Sequence, residues 1–488
     1  MPAPALALVG LRDGLGPHDE GLMLQWGHRI ADGQWPYRDF WCNYLPGQPL
    51  LQAVLGDSLL VWRLVRAATG AIAAVLAYLL VRGEVGRDLP EGSTDRDPLR
   101  RWWALGAWAG VAAAMAWPLV PGPNASAVAL AFGAVLLGRR SPAWGGALAG
   151  ARALFRPEVG AAAALAVAWE ARAAPLPEHP ARRARPATVL AAALATFAGG
   201  LLPFLVAAPG DLLAQTFGFA DEQDLQRLPF PLAPHTTDPN KLLERLFPAI
   251  LVAGCLTWLA LAWRARRGWP WLPLLLAGLA YLFARTDEFH LVPLAAILAA
   301  ALAERARAPA AIVLALIVLH GLDRQVTKVR DDTAWVEVRD GVRTDAADAR
   351  NLRLLRATVD ALSEPGDPIL VAPPRFDRVR VGDPLLYRLL DRDNPTRYDV
   401  MQPGVVTTAK VQREMLRDLR GTDLMVRWLD PRATALEDNA SARSSGVTLL
   451  DDAIARDFRR VARFGPYLLL QRSRRANASA AASSTAAT

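Results

Sequence analysis

The sequence predicts an α-helical polytopic membrane protein with a small C-terminal α/β domain. Three observations carry that prediction. Hydrophobic residues make up 52% of the 488 positions although 21% are charged, a pairing that a folded chain tolerates only when the charges are segregated. They are segregated: residues 102–138, 186–208, 247–263, 269–284 and 291–322 are nearly free of charge, whereas residue 323 onward has the composition of a soluble protein. Arginines then collect beside the apolar segments, where orientation in a bilayer requires them. The same placement argues against reading the net charge of +8 as a nucleic-acid footprint.

Residues 1–58 are read as a first extracytoplasmic loop preceded by the remnant of a first span. The opening residues 1–11 are apolar but too short to cross a membrane, so a further helix upstream of Met1 is expected, with a short external tail as the alternative. A transmembrane bundle of about ten helices follows over 59–322. Its candidate spans are 59–82, 102–119, 124–138, 142–155, 158–170, 187–208, 247–264, 270–284, 288–303 and 309–322. A hydrocarbon core of ~30 Å needs about 20 apolar residues; the shorter spans rely on shielding by neighbours. Around Arg156-Pro157-Glu158 two short helices are expected, because proline removes a backbone donor and clashes with the preceding turn. Arg82, Arg87, Arg96, Arg100 and Arg101, then Arg139 and Arg140, Arg172 to Arg185, Arg264 to Arg267, and Arg305 and Arg307 all fall on one side. That side is cytoplasmic by the positive-inside rule. Residues 12–50 and 209–246, the turn 285–287 and the C-terminal domain then face outward, giving a multi-pass protein of the plasma (inner) membrane.

Residues 323–472 alternate helical and strand patterns. Leu352, Leu355, Val359 and Leu362 share one helix face, and Val411, Met415 and Leu419 another. Residues 368–372, 423–428 and 467–470 read as buried strands, so the region is a small α/β domain. Residues 473–488 are small and polar and are expected to be disordered. Cys42 lies in a polar loop and Cys255 in a span, which argues against a disulfide, and no metal-type cysteine cluster exists. The Asn-Ala-Ser triplets at Asn124, Asn439 and Asn477 are best explained by chance.

The residues able to carry chemistry concentrate in the first external loop. It contains His18-Asp19-Glu20-Gly21, then Gly33-Gln34-Trp35-Pro36-Tyr37-Arg38-Asp39-Phe40, then Leu45-Pro46-Gly47-Gln48-Pro49. Adjacent carboxylates where a loop meets the membrane suit a general base or a divalent cation; composition alone favours an ordinary solvated loop. Trp35, Tyr37, Phe40, Trp41 and Tyr44 make the loop unusually aromatic, suited to stacking on a sugar or, more commonly, to lying along the membrane surface. His18 reads as polar surface. Arg63 and Arg66 fall inside a span and need protein or a cavity around them, either as a structural pair with an acid such as Asp57 or as a substrate contact. The tryptophans at span ends form an interfacial belt.

The Asp-Glu pair, a helix ending in Ala31-Asp32-Gly33, Pro36-Tyr37-Arg38-Asp39-Phe40 and the Pro46-Gly47-Gln48-Pro49 turn resemble the first loop of GT-C glycosyltransferases. The bacterial members akin to protein O-mannosyltransferases and lipid A aminoarabinose transferases are the nearest in pattern. The resemblance continues at residues 55–63, at Arg285-Thr286-Asp287-Glu288-Phe289-His290-Leu291-Val292-Pro293 and at Asn394-Pro395-Thr396-Arg397-Tyr398. Two departures stand out: the first helix is absent, and His290 stands where relatives often carry tyrosine. The resemblance implies a GT-C-like helix bundle that transfers a hexosyl or pentosyl group from a polyprenyl-phosphate carrier to a cell-envelope glycan, lipid or protein on the outer face. It implies Asp19 as general base, with Glu20 assisting or binding a divalent cation together with Asp39. It implies Arg285, Arg38 and Arg156 as cations for the donor phosphate, with Asp39 and His290 completing the substrate contacts. No convincing nucleotide-binding glycine loop is present, as a lipid-phosphate donor requires none. Arg285 also reads as an interfacial anchor that snorkels to water. Two other classes remain open: a transporter or flippase of similar span count, and a non-catalytic relative whose outer domain binds envelope glycan or protein. High alanine and arginine with little lysine points to a GC-rich bacterial genome.

Overall fold

A computed structural model describes residues 7–85, 98–116, 122–173, 175–176, 179–183, 186–218, 224–228, 242–266, 269–437 and 439–473. The tail at 473–488, predicted disordered, lies outside the described residues from 474 onward. Helices α1 (Asp19–Ala31) and α2 (Gly47–Leu55) precede the bundle. Ten bundle helices follow among the described residues. They are α3 (Leu59–Val85), α4 (Pro98–Met115), α5 (Asn124–Gly138), α6 (Pro142–Ala153), α7 (Pro157–Ala173), α8 (Pro186–Ala207), α10 (Leu242–Ala265), α11 (Trp271–Ala284), α12 (Glu288–Arg305) and α13 (Ala308–Val329), with the short α9 (Pro209–Thr216) between α8 and α10. A helix thus occupies each of the ten apolar segments. Among the described residues, α3, α8, α10 and α13 are long and apolar enough to cross a membrane by themselves, while α5 and α11 are shorter apolar helices. α8, whose 22 residues span about 33 Å, turns Leu194 and Val206 outward at 67% and 76% exposure, as a lipid-facing helix must.

The bundle closes around α12, in which every residue from Leu291 to Ala303 is buried. Its run of alanines lets neighbouring backbones approach closely, the usual source of helix packing in lipid. On α6, Gly146 and Gly150 do the same one turn apart: a Cβ at either position would collide with the carbonyl oxygen of Val189 or Ala193 on α8. α6 and α7 are separate helices that meet at residues 154–156, where Pro157 begins the second. A short ladder, β1 (Pro175–Leu176) with β2 (His179–Arg183), joins α7 to α8.

After α13 come a hairpin, β3 (Trp335–Arg339) with β4 (Val342–Asp345), and a four-stranded sheet of β5 (Ile369–Ala372), β6 (Leu424–Trp428), β7 (Phe458–Phe464) and β8 (Tyr467–Arg472). The sheet order is β5-β6-β8-β7, parallel between β5 and β6 and antiparallel elsewhere. Helices α14 (Ala346–Asp360), α15 (Leu385–Leu390), α16 (Ala409–Asp418) and α18 (Leu449–Asp457) cover it, with the one-turn α17 (Pro431–Thr434) after β6. The period of two along a strand sorts its residues between the faces. Ile369, Val371, Leu424, Val426 and Leu469 join α14 and α15 in one core, and Leu370, Ala372, Met425 and Leu470 join α16 and α18 in another.

Both cores run on into the first loop. Leu24 of α1 belongs to the first, and Leu22, Met23 and Trp26 to the second, together with Tyr37, Phe40 and Trp41. Tyr37 and Phe40 are fully buried and so neither line the membrane surface nor await a sugar, whereas Trp35 is 38% exposed and Tyr44 lines a cavity. Arg29 of α1 is buried against Asp399 at 2.8 Å and donates to the carbonyl oxygen of Thr396 at 2.6 Å. Arg397 donates to the carbonyl oxygen of Tyr37. The resemblance-bearing segments around residues 36–40 and 394–398 are thus two halves of one clamp, and the first loop and the C-terminal sheet lie on the same face of the bundle.

Candidate active site

A cavity of about 1150 Å³ opens between the bundle and the C-terminal domain. Four segments far apart in the chain bring polar groups to it: the start of α1, the α6–α7 break, the turn between α11 and α12, and the end of α17. Apolar residues Ala113, Ala114, Phe247, Leu291, Val292 and Ala295 also line it, beside His320, which stacks on Phe247, and the Arg324–Glu244 pair.

Asp19 begins α1 at the cavity wall, with Glu20 in the same first turn, where carboxylates are favoured by the helix dipole. The two have different fates. Glu20 turns inward and is 1% exposed. It accepts from Arg63 through both oxygens at 2.7 Å and from the Gly16 amide at 3.0 Å. Arg63 completes its shell with the carbonyl oxygens of Leu11 and Gly14. Glu20, then, is the partner of Arg63; Asp57 pairs instead with His28 at 2.8 Å. Arg66 approaches the Met115 sulfur at 3.9 Å. The Asp19 carboxylate makes no hydrogen bond or ion pair among the described residues. Burial raises its pKa above the ordinary aspartate value, His18 opposes the rise, Asp287 adds to it, and His290 and Arg285 oppose it. His18 stands beside it on the cavity wall.

Facing Asp19 is the Arg285-Thr286-Asp287 turn. Asp287 caps α12, accepting from the Phe289 and His290 amides at 3.1 Å, and it also meets His290 Nδ1 at 2.5 Å. Burial alone would push this carboxyl up, but His290 and Arg285 outweigh it and hold the group down to about 2. Arg285 donates through Nε to Asp287 at 2.6 Å, through Nη1 to the Gln226 carbonyl oxygen at 2.9 Å and through Nη2 to Glu437 at 2.5 Å. The His290 ring lies 4.1 Å from that of Tyr281, and Arg156 sits over Tyr281 at 3.9 Å while pairing with Glu158 at 2.6 Å.

Arg156 reaches the cavity because the helix break is held from both sides. The buried Arg152 donates to the Arg156 carbonyl oxygen at 2.8 Å and to that of Ala127 at 2.5 Å. The amide of Gly47, in the Pro-Gly-Gln-Pro turn, donates to the Leu154 carbonyl oxygen at 2.9 Å.

Of the residues singled out in the sequence, Asp19, Arg156, Arg285 and His290 meet at one cavity. Arg38 and Asp39 do not line it. They pair with each other at 2.8 Å on an exposed turn, where Tyr37 takes a positive φ of 70° and sends its hydroxyl to the Tyr44 carbonyl oxygen at 2.8 Å. Among the described residues no group of three or more His, Cys, Asp or Glu side chains is arranged to hold a metal ion; Glu20 is committed to Arg63 and Asp39 to Arg38. Asn124 proves to be a wall residue, donating to the Phe289 carbonyl oxygen at 2.9 Å.

Against known structures, the chain matches the crystal structure of ArnT from Cupriavidus metallidurans bound to undecaprenyl phosphate. The match covers 97% of each chain with a TM-score of 0.56 at 13% identity. The chain has the GT-C fold. No family model matches the sequence, and no curated protein matches it significantly. In this GT-C fold the sequence left the cavity residues Tyr281, Arg380 and Glu437 unmarked and gave Asp287 no role of its own. Asp287 had a local signal, an acid three residues before a histidine at a helix start. The others are brought in by tertiary packing alone.

Proposed function

We propose that the protein is an integral membrane glycosyltransferase that moves a sugar from a polyprenyl-phosphate carrier to a cell-envelope acceptor at the outer face, with Asp19 as general base. The observation that carries this reading is the Asp19 carboxylate, unpaired among the described residues, facing the Arg285–Asp287–His290 turn in a cavity lined by both polar and apolar side chains. A lipid-phosphate donor likewise has a polar and an apolar part. Its phosphate suits the guanidinium groups of Arg285 and Arg156, and its first isoprene units suit the alanine, phenylalanine and leucine wall. The ArnT structure was solved with such a lipid, and the shared fold supports the same donor class for this chain. The positive-inside rule, applied to the arginine-rich loops, supports a cavity on the side away from the cytoplasm.

In the reaction the acceptor hydroxyl oxygen attacks the anomeric carbon, and the bond from that carbon to the phosphate oxygen breaks. The electron pair leaves with the polyprenyl phosphate, and the hydroxyl proton passes to Asp19. Arg285 and Arg156 meet the charge that grows on the leaving phosphate with donors already oriented by Asp287 and Glu158. His290, fixed by Asp287 and stacked on Tyr281, borders the space between base and phosphate. Glu20 serves by holding the start of α1 against Arg63, so that Asp19 points into the cavity.

Sugar transfer from radiolabelled polyprenyl-phosphate donors in membranes tests the proposal. Wild-type transfer that falls by orders of magnitude in Asp19→Asn at equal expression is the expected outcome. Equal transfer by both proteins removes Asp19 from the centre, and no transfer with any donor favours a transport or binding role.

A further inference from the structure

Glu437 is one of two carboxylates that Arg285 holds, the other being Asp287, and it arrives from the other half of the molecule. Arg285 ends α11 in the bundle, whereas Glu437 follows α17 in the C-terminal domain. The Glu437 carboxylate is 6% exposed. It accepts from Arg285 Nη2 at 2.5 Å, from Arg380 Nε at 3.1 Å and from Asn439 Nδ2 at 2.8 Å.

Arg285 spends three of its five N–H donors on these partners, with Nη2 given to Glu437, so a phosphate that approaches the Nη2 edge meets the Glu437 carboxylate there. Asp287 is fixed two residues away by the turn and by its capping of α12, and the Gln226 carbonyl oxygen is neutral. Glu437 is the yielding partner, because its carboxylate and a phosphate oxygen repel each other at one guanidinium in a site partly shielded from water. Space for the displaced carboxylate is already built. Glu437 also lines a second pocket of about 180 Å³ on the C-terminal domain, together with Arg375, Arg378 and Arg380. The carboxylate can therefore move off Arg285 while keeping a cation beside it.

We propose that Glu437 is a placeholder for the donor phosphate: its carboxylate holds Arg285 until the phosphate displaces it toward Arg380 and the adjoining arginine-lined pocket. The inference rests on the donor reading above and adds a specificity element to it. A neutral lipid has no charge with which to displace the carboxylate, so the placeholder rejects uncharged polyprenols at the cost of some affinity for the correct donor.

The test is the dissociation constant of undecaprenyl phosphate for the full-length protein in detergent, measured for wild type, Glu437→Gln, Arg285→Gln and the double variant. A placeholder seated nine-tenths of the time lowers apparent affinity about tenfold, so Glu437→Gln is expected to bind about tenfold more tightly than wild type. The gain disappears when Arg285 is also replaced. Glu437→Asp, which keeps the charge but shortens its reach, gives a smaller gain and covers the case in which the glutamine variant does not fold. If Arg285→Gln loses binding while neither Glu437 variant gains any, the placeholder is overturned and the donor reading stands. A loss of binding in Glu437→Gln at unchanged melting temperature also overturns it. Binding that ignores Arg285→Gln overturns the donor assignment and the placeholder with it.

Discussion

Two adjacent carboxylates, Asp19 and Glu20, meet opposite surroundings, one open to the cavity and one held by Arg63. Glu20 and Arg63 form a buried pair at 2.7 Å, and removing one partner of such a pair leaves an uncompensated charge at a cost of about 3–5 kcal/mol. Glu20→Gln is therefore expected to lower the melting temperature and the transfer rate together. Asp19 behaves in the opposite way. Its folded pKa lies above the unfolded value, chiefly through burial, so its contribution to stability is complete only below the unfolded value and is lost as pH rises through the folded one. Near neutral pH the ionised side chain is a net cost to the fold. Asp19→Asn should raise the melting temperature there while abolishing transfer. On the acid side, wild-type transfer should fail at a higher pH than an ordinary aspartate base would allow. Thermal unfolding across pH, paired with transfer assays, checks both. The sequence separated neither role, because nothing in an Asp-Glu dipeptide says which carboxylate will turn toward an arginine 43 residues away.

Elements were legible where the solvent dictates their pattern. Lipid forces backbone groups to bond within their own helix, so apolar runs announced all ten bundle helices, and continuous buried runs announced β5, β6 and β8. β7 was missed because Arg459, Arg460 and Arg463 make it an edge strand guarded by charge. The β3–β4 hairpin was missed although Asp340-Gly341, both at positive φ, is a strong two-residue turn signal between valine-rich runs. Close packing of α6 on α8 gives the prediction proper to this scale. Gly150→Ala drives a Cβ into the backbone of α8 and should cost about 1–3 kcal/mol. Gly199→Ala, where a Cβ meets nothing within 4 Å, should be neutral or stabilising, since alanine is the better helix former by ~1 kcal/mol. Melting temperatures of the two variants in one detergent decide the matter.

Across the whole molecule, the Asp19 helix belongs to neither the bundle nor the sheet alone, and that arrangement was invisible in a chain read segment by segment. Leu24 and Trp26 enter opposite cores of the C-terminal domain, and Arg29 ties α1 to Asp399. Asp399→Asn should loosen this clamp by about 3–5 kcal/mol and expose the 36–40 loop to protease in limited digestion, with the bundle's own fragments left intact. The same clamp also sets an order of events in the cell. Arg29 and Asp399 are 370 residues apart, and a ribosome adding about 5–20 residues per second needs tens of seconds to cover that distance. Throughout that interval the Asp19 helix has left the ribosome without its second half, so a chain cut short before the sheet is made inserts its spans yet never assembles the walls of the cavity.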